Sequence, residues 1–233
     1  MSRMAQMGAL LVAALVIAWL VFWQVEVVHR GGPVMVPIVM CSIFSLSLVL
    51  DRMIYFFHLH LGTDMDQFFE RLRILLEGHR WKEARTLCEA SPGPVAHVVL
   101  AGLTMHEGTP QEIHEAMEEA AHAELPQVER HLRWLSTLAQ VSTLLGLLGT
   151  VTGLVECFQV IQSKSSSSAL VNPGDLAGGV WEALITTVAG LTVAIPTILA
   201  YNYFASRVND VQFQMEKAAA LVAGWRRHKP YAA

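Results

Sequence analysis

Charged residues are scarce in this chain. They make up 15% of its 233 residues, against 53% hydrophobic, whereas a soluble domain carries about 25% charge. So little charge points to a protein of the membrane. Cysteine is scarce too: Cys41, Cys88 and Cys157 are odd in number and have no CxxC spacing, which argues against a disulfide framework or a zinc site. A net charge of −4, with the basic residues spread along the chain, gives no nucleic-acid footprint, so no nucleic-acid partner is expected. No GxSxG, P-loop or GxGxxG pattern stands in a suitable context, so neither an enzyme nor a cofactor is expected. His114, Glu118 and His122 share a helical face but lack the HExxH arrangement. Among so many acids they read as a solvated face, and no metal is expected.

What the chain does have is long apolar runs. Residues 8–28 are apolar apart from Gln24 and Glu26 and long enough to span about 30 Å of hydrocarbon. This N-terminal segment, 1–33, reads as an uncleaved membrane helix, a helix lying at the outer interface, or a cleaved signal peptide. The run His29-Arg30-Gly31-Gly32-Pro33 breaks it. A second span covers 34–57 and ends in Asp51, Arg52 and Tyr55, which read as an interfacial anchor.

Residues 58–135 have no spanning stretch and read as a soluble helical domain. Phe68, Phe69, Leu72, Leu75 and Leu76 recur at helical spacing, as do Ala84, Leu87 and Cys88. Thr109-Pro110-Gln111-Glu112 supplies an N-cap, a proline at the first helical position and an acid in the first turn. The helix begun there is expected to run towards Trp134 with a kink at Pro126, and to form one rod if it continues into the next span. That span covers 136–162, a Ser-rich loop 163–177, a last span 178–204, and an amphipathic tail 205–233. The soluble domain and the tail hold 12 of the 16 Lys and Arg, the other side only Arg30 and Lys164. Positive loops stay inside, so the soluble domain is expected in the cytoplasm and the Ser-rich loop outside.

The last two spans carry more polar groups than an anchor needs. Thr150, Thr186, Thr187, Thr192 and Glu182 each cost free energy in hydrocarbon unless they meet partners or water. As antiparallel neighbours, the spans would hold Thr150 and Thr187 at similar depth, with Glu156 and Glu182 near the outer end. Gly146, Gly149 and Gly153 make a small-residue stripe that lets backbones approach, within one subunit or between subunits. Pro196, in mid-helix, implies a kink or a weakened backbone bond.

LLGLLGTVTGLVECFQVI and EALITTVAGLTVAIPTILAYNYF resemble the two signature helices of the MotA/TolQ/ExbB proton channel family, and GGPVMVPIVMCSIFSLSLVLDRMIYF resembles the first helix of its ExbB-like branch. The resemblance implies an all-α integral membrane protein. It would have three family transmembrane helices plus the N-terminal hydrophobic helix, with the cytoplasmic helical domain inserted between the first and second family helices. It further implies a homo-pentamer around a dimer of an ExbD/TolR-like single-span protein whose membrane aspartate carries the proton, with a TonB/TolA-like protein as a further partner and lipid around it.

Thr150 and Thr187 match the family's pore-facing threonines and Glu182 its glutamate at the pore mouth. Thr143, Thr186 and Glu156 are secondary candidates for the pathway. The implied function is an inner-membrane stator subunit that converts proton motive force into work for energised outer-membrane transport or envelope maintenance. A flagellar-type stator and a non-conducting scaffold are the alternatives.

Overall fold

A computed structural model describes residues 31–62, 65–91, 93–105, 108–166, 170 and 172–227. The expected helix at 8–28 lies outside the described residues. Every regular element among those described is helical: α1 Met35–Gly62, α2 Met65–Glu77, α3 Trp81–Ala90, α4 Pro94–Thr104, α5 Pro110–Val128, α6 Leu132–Ser166 and α7 Pro173–Arg227. Three helical stretches are long and apolar enough to cross a membrane: Met35–Phe57, and one each within Pro110–Ser165 and Pro173–Trp225.

The chain divides into two compact units. One comprises the chain up to Leu46 with Ser136–Ile198, the other Ser47–Leu135 with Leu199–Ala233.

The second unit is built like a soluble domain. Phe68, Phe69, Leu72 and Leu76 of α2, Ala84 and Cys88 of α3, and Val95, Val98, Val99 and Leu103 of α4 are buried together with Ile113 and Met117 of α5. Phe204, Val208, Val211, Met215, Ala218 and Val222 join the same core. Their alternating spacing of four and three residues keeps one stripe of a helix inward.

Local signals set the helix ends. α5 opens with a capping box in which the Glu112 N–H donates to Thr109 Oγ1 at 3.2 Å and the Thr109 N–H donates to Glu112 Oε2 at 2.7 Å. α2 closes with a Schellman turn: the His79 N–H reaches Leu76 O and the Arg80 N–H reaches Leu75 O, with His79 left-handed at φ 55°.

Three expectations change. The rod from α5 into the next span is interrupted at 129–131, where His131 takes φ 67°; a left-handed residue cannot continue a right-handed helix. Pro126 lies inside α5, two residues from its end. The loop expected at 163–177 is shorter, because α6 runs to Ser166 and α7 begins at Pro173. There the Asn172 N–H donates to Asp175 Oδ2 at 2.9 Å and Lys164 pairs with Asp175. The last span and the tail are one helix, with no break at 204.

Arg52 also differs from an interfacial anchor, being only 4% exposed. Its guanidinium donates to Asp51 Oδ2 at 2.9 and 3.1 Å and to Gln127 O at 3.4 Å, and lies over the Tyr55 ring. His131 Nδ1 meets the same Asp51 oxygen at 3.1 Å. The end of the first span is thus tied to the α5–α6 break.

Candidate functional site

The site lies in the first unit, where α6 and α7 touch along a seam of small residues. A Cβ added at Gly146 would stand 3.3 Å from Thr186 O and Thr187 Cα; at Gly149, 2.2 Å from Thr186 Oγ1; at Gly153, 2.5 Å from Gly179 O. From the other side, a Cβ at Gly190 would meet Ser142 O at 2.6 Å, and one at Gly179 would meet Cys157 Sγ at 2.7 Å. Of the two readings of the glycine stripe, the structure places this packing within one chain.

The sequence reading missed the facing half of the seam. Its signal was present as Gly179, Ala183, Thr186 and Gly190, small or short residues at helical spacing.

The seam fixes the direction of every polar candidate. Successive residues turn about 100° around a helix, so a residue just after a seam position projects to one edge and a residue just before it to the other. In an antiparallel pair the two helices are viewed in opposite senses. Residues that follow seam positions on both helices therefore meet on the same edge.

Thr143 follows Ser142, Thr150 follows Gly149 and Thr187 follows Thr186. These three hydroxyl positions share one edge. Glu156 precedes Cys157 and Glu182 precedes Ala183, so the carboxyls share the opposite edge, where they face one another. Leu145 and Ala189 also precede seam residues, and on them pack Val34, Met35 and Ile38 at the start of α1, with Val193. The carboxyl edge is the edge α1 covers.

The family resemblance lists Glu182 in one pathway with Thr150 and Thr187, and the structure sets it on the other edge. The two threonines do share a level: Thr187 Oγ1 donates to Gly146 O at 3.1 Å across the seam and to Ala183 O at 3.2 Å within its own helix. Gly146 is one helical turn, about 5.4 Å, from Thr150.

Thr150 Oγ1 donates to Leu147 O at 2.6 Å, and Thr150 and Thr187 are both half-buried. Thr143, bonded to Ala139 O, is exposed. Thr186 is fully buried in the seam, donating to Glu182 O and Ala183 O at 2.9 and 3.0 Å. It is packing material, not a wall of the hydroxyl edge.

Each of these hydroxyls keeps its lone pairs for a further donor, since all donate to backbone carbonyls. Around Thr150 and Thr187 the hydroxyl edge is lined by apolar side chains that the described residues leave exposed: Leu147 is 60% exposed, Leu154 50% and Leu184 60%. Pro196 lies within unbroken α7; it lacks the N–H that would bond the Thr192 carbonyl, and beside it Thr197 Oγ1 donates to Val193 O at 2.6 Å. Among the described residues no group of three His, Cys, Asp or Glu could hold a metal ion.

Fold and site together define a multi-pass membrane protein whose closely packed helix pair carries a hydroxyl-bearing edge that the described residues leave open. The chain belongs to the MotA/TolQ/ExbB proton channel family, whose profile it matches over residues 90–217; its relatives place it on the ExbB-like branch.

It is 34% identical over 179 residues to an ExbB-like biopolymer transport protein of Synechocystis sp., covering 76% of this chain and 82% of that one. Identity to biopolymer transport protein exbB1 of Vibrio cholerae is 28% over 199 residues, covering 81% and 82%. The Tol-Pal system protein TolQ of Haemophilus influenzae is 38% identical over 98 residues, 42% of this chain and 41% of that one. Among solved structures, C. jejuni MotAB superposes with a TM-score of 0.58 at 16% identity, over 97% of this chain and 90% of that chain, a likeness of fold.

Proposed function

We propose that the protein is the channel-forming stator subunit of an inner-membrane motor that spends proton motive force on envelope transport or maintenance. The observation that carries this is the edge bearing Thr143, Thr150 and Thr187. It is polar enough to solvate a charge in transit, it lies within apolar spans, and no ionisable residue of either helix stands on it.

A proton crossing along this edge therefore needs a carboxylate from another chain. An ExbD/TolR-like single-span protein supplies one: two such helices, ringed by five copies of this chain, would present a membrane aspartate to the hydroxyls. Thr150 and Thr187 would solvate that aspartate through both its protonation states. One elementary charge falling through 100 mV releases about 2.3 kcal/mol, so a few protons suffice for a step of the ring about the partner pair. The second unit would lie in the cytoplasm, and a TonB/TolA-like protein would take up the work.

The full chain, co-expressed with an ExbD/TolR-like single-span protein and purified, tests the assembly by mass and by cross-linking. The expected result is five copies with two partners, with Thr150→Cys and Thr187→Cys forming disulfides to cysteines near the partner's aspartate. A chain that purifies without a single-span partner, or that cross-links only from Thr152→Cys on the α1 edge, would refute it.

A further inference from the structure

The carboxyl edge carries a device that neither the hydroxyls nor the family match accounts for. Ahead of α1 the backbone passes directly over Glu182. Gly32 has φ 64°, and a Cβ placed on it would stand 1.7 Å from Glu182 Oε1 and 2.6 Å from Glu182 Cδ. With the carboxyl where it stands no Cβ fits there, so a side chain at position 32 would displace the end of Glu182.

The neighbouring Gly31 is equally confined. Its added Cβ would meet Met35 Cγ at 2.4 Å and Ile185 Cγ2 at 3.3 Å, and Met35 is fully buried. Ile185 lies one turn of α7 from Glu182, so the two glycines press the turn onto that stretch of α7. On the remaining side Glu156 of α6 faces the same carboxyl. The Glu182 side chain is therefore walled by the Gly31-Gly32 turn, by α6 and by its own helix.

We infer that Gly32 is a positioning residue for Glu182: its bare backbone forms the wall that holds the carboxyl against Glu156 on the α1 edge. The flux readout rests on the proposed channel function, with Glu182 at the mouth of the pathway as the family resemblance implies, but the contact itself stands without it. A Cβ at position 32 pushes the carboxyl out of its place. With Glu182 shortened to alanine the three nearest clashes are gone and the cost of a side chain at φ 64° remains, so what the substitution does beyond that backbone cost passes through Glu182.

The test uses the purified complex of the full chain with its single-span partner. The carboxyl C=O infrared band of Glu182, identified by its loss in Glu182→Gln, is compared between wild type and Gly32→Ala. Proton flux in proteoliposomes is compared for Gly32→Ala, Glu182→Ala and the double variant. A shifted band is expected in Gly32→Ala, with flux reduced about tenfold to a hundredfold, the scale on which small misplacements of a working group act. In the Glu182→Ala background Gly32→Ala is expected to cause a clearly smaller fold loss, that of the strained backbone alone.

Asparagine tolerates left-handed φ yet carries a Cβ. Gly32→Asn should therefore assemble and show the same shifted band. An unmoved band in both variants, or an equal fold loss of flux in both backgrounds, overturns the inference and leaves Gly32 as a turn residue only. The band needs no conduction, so it tests Gly32 even if the pathway along the hydroxyls fails.

Discussion

Substitution of alanine for Gly153 should push α6 and α7 apart, and the structure says by how much. The new Cβ would lie 2.5 Å from Gly179 O, 2.9 Å from Ala183 N and 2.9 Å from Ala183 Cβ. Atoms in contact sit at about 3.5–4.0 Å, so the shortfall is about 1 Å. The obstacle is mostly backbone, which no rotamer change can clear.

Overpacking of this kind costs about 1–3 kcal/mol, while replacing a helical glycine by alanine returns about 1 kcal/mol of propensity. Gly178 is the matched control: it lies in the same pair of helices, and an added Cβ there meets nothing within 4 Å. Gly178→Ala should therefore keep the propensity gain in full. The two variants should differ by the overpacking cost alone, about 1–3 kcal/mol, as read by denaturant or thermal unfolding of the purified complex in one detergent. Equal stability of Gly153→Ala and Gly178→Ala would refute the close seam and leave the glycine stripe free to serve contacts between subunits.

Further predictions concern the second unit. Thr109→Ala removes the α5 cap and should cost about 1 kcal/mol in unfolding free energy. In the same capping box the Thr109 N–H holds the Glu112 carboxyl below the usual glutamate range. The linked stability is complete above that usual range and is lost as pH falls through the depressed value; the stability advantage of wild type over Glu112→Gln should be constant above that range and shrink only as pH falls through it. Arg52→Ala strips Asp51 and Gln127 O of charge-assisted bonds and should lower stability by about 1–3 kcal/mol, measured by unfolding. Burial pushes the Cys88 thiol up to about 12, so Cys88 should resist maleimide at neutral pH until the unit unfolds; prompt labelling of the folded protein would contradict its place in the core.

Much of this architecture is legible in the sequence because a bilayer leaves few choices: an apolar run of spanning length must be a helix. The capping box before α5 was equally readable, since Thr109, Pro110 and Glu112 are fixed by local hydrogen bonding. Asn172-Pro173-Gly174-Asp175 carried the same kind of signal, an N-cap, a first-turn proline and an acid, but the surrounding serines made the stretch read as loop.

The partner of the glycine stripe was not legible. Small-residue spacing says that a backbone comes close, not whose it is. The separation of threonines from glutamates was in reach of helical phase, one residue after the seam or one before, but depth along the membrane normal hides it. His131 and Gly32 could not be read in advance. Nothing local requires a histidine to turn left-handed, and a glycine before a proline signals a turn without naming the carboxyl that will rest on it.

Proton flux through the reconstituted complex with the hydroxyls of one edge removed tests the hydroxyl edge most directly. Thr150→Val with Thr187→Val keeps shape and removes the oxygen atoms from the proposed path. Thr152→Val with Thr192→Val removes hydroxyls that also donate to carbonyls of their own helix but stand off that edge. The first pair should lower flux at least about tenfold, the scale of losing one or two solvating groups of about 1.4 kcal/mol each, while the second pair conducts like wild type. Full flux through the first pair, or equal loss through both, would contradict the hydroxyl edge as the path of the proton.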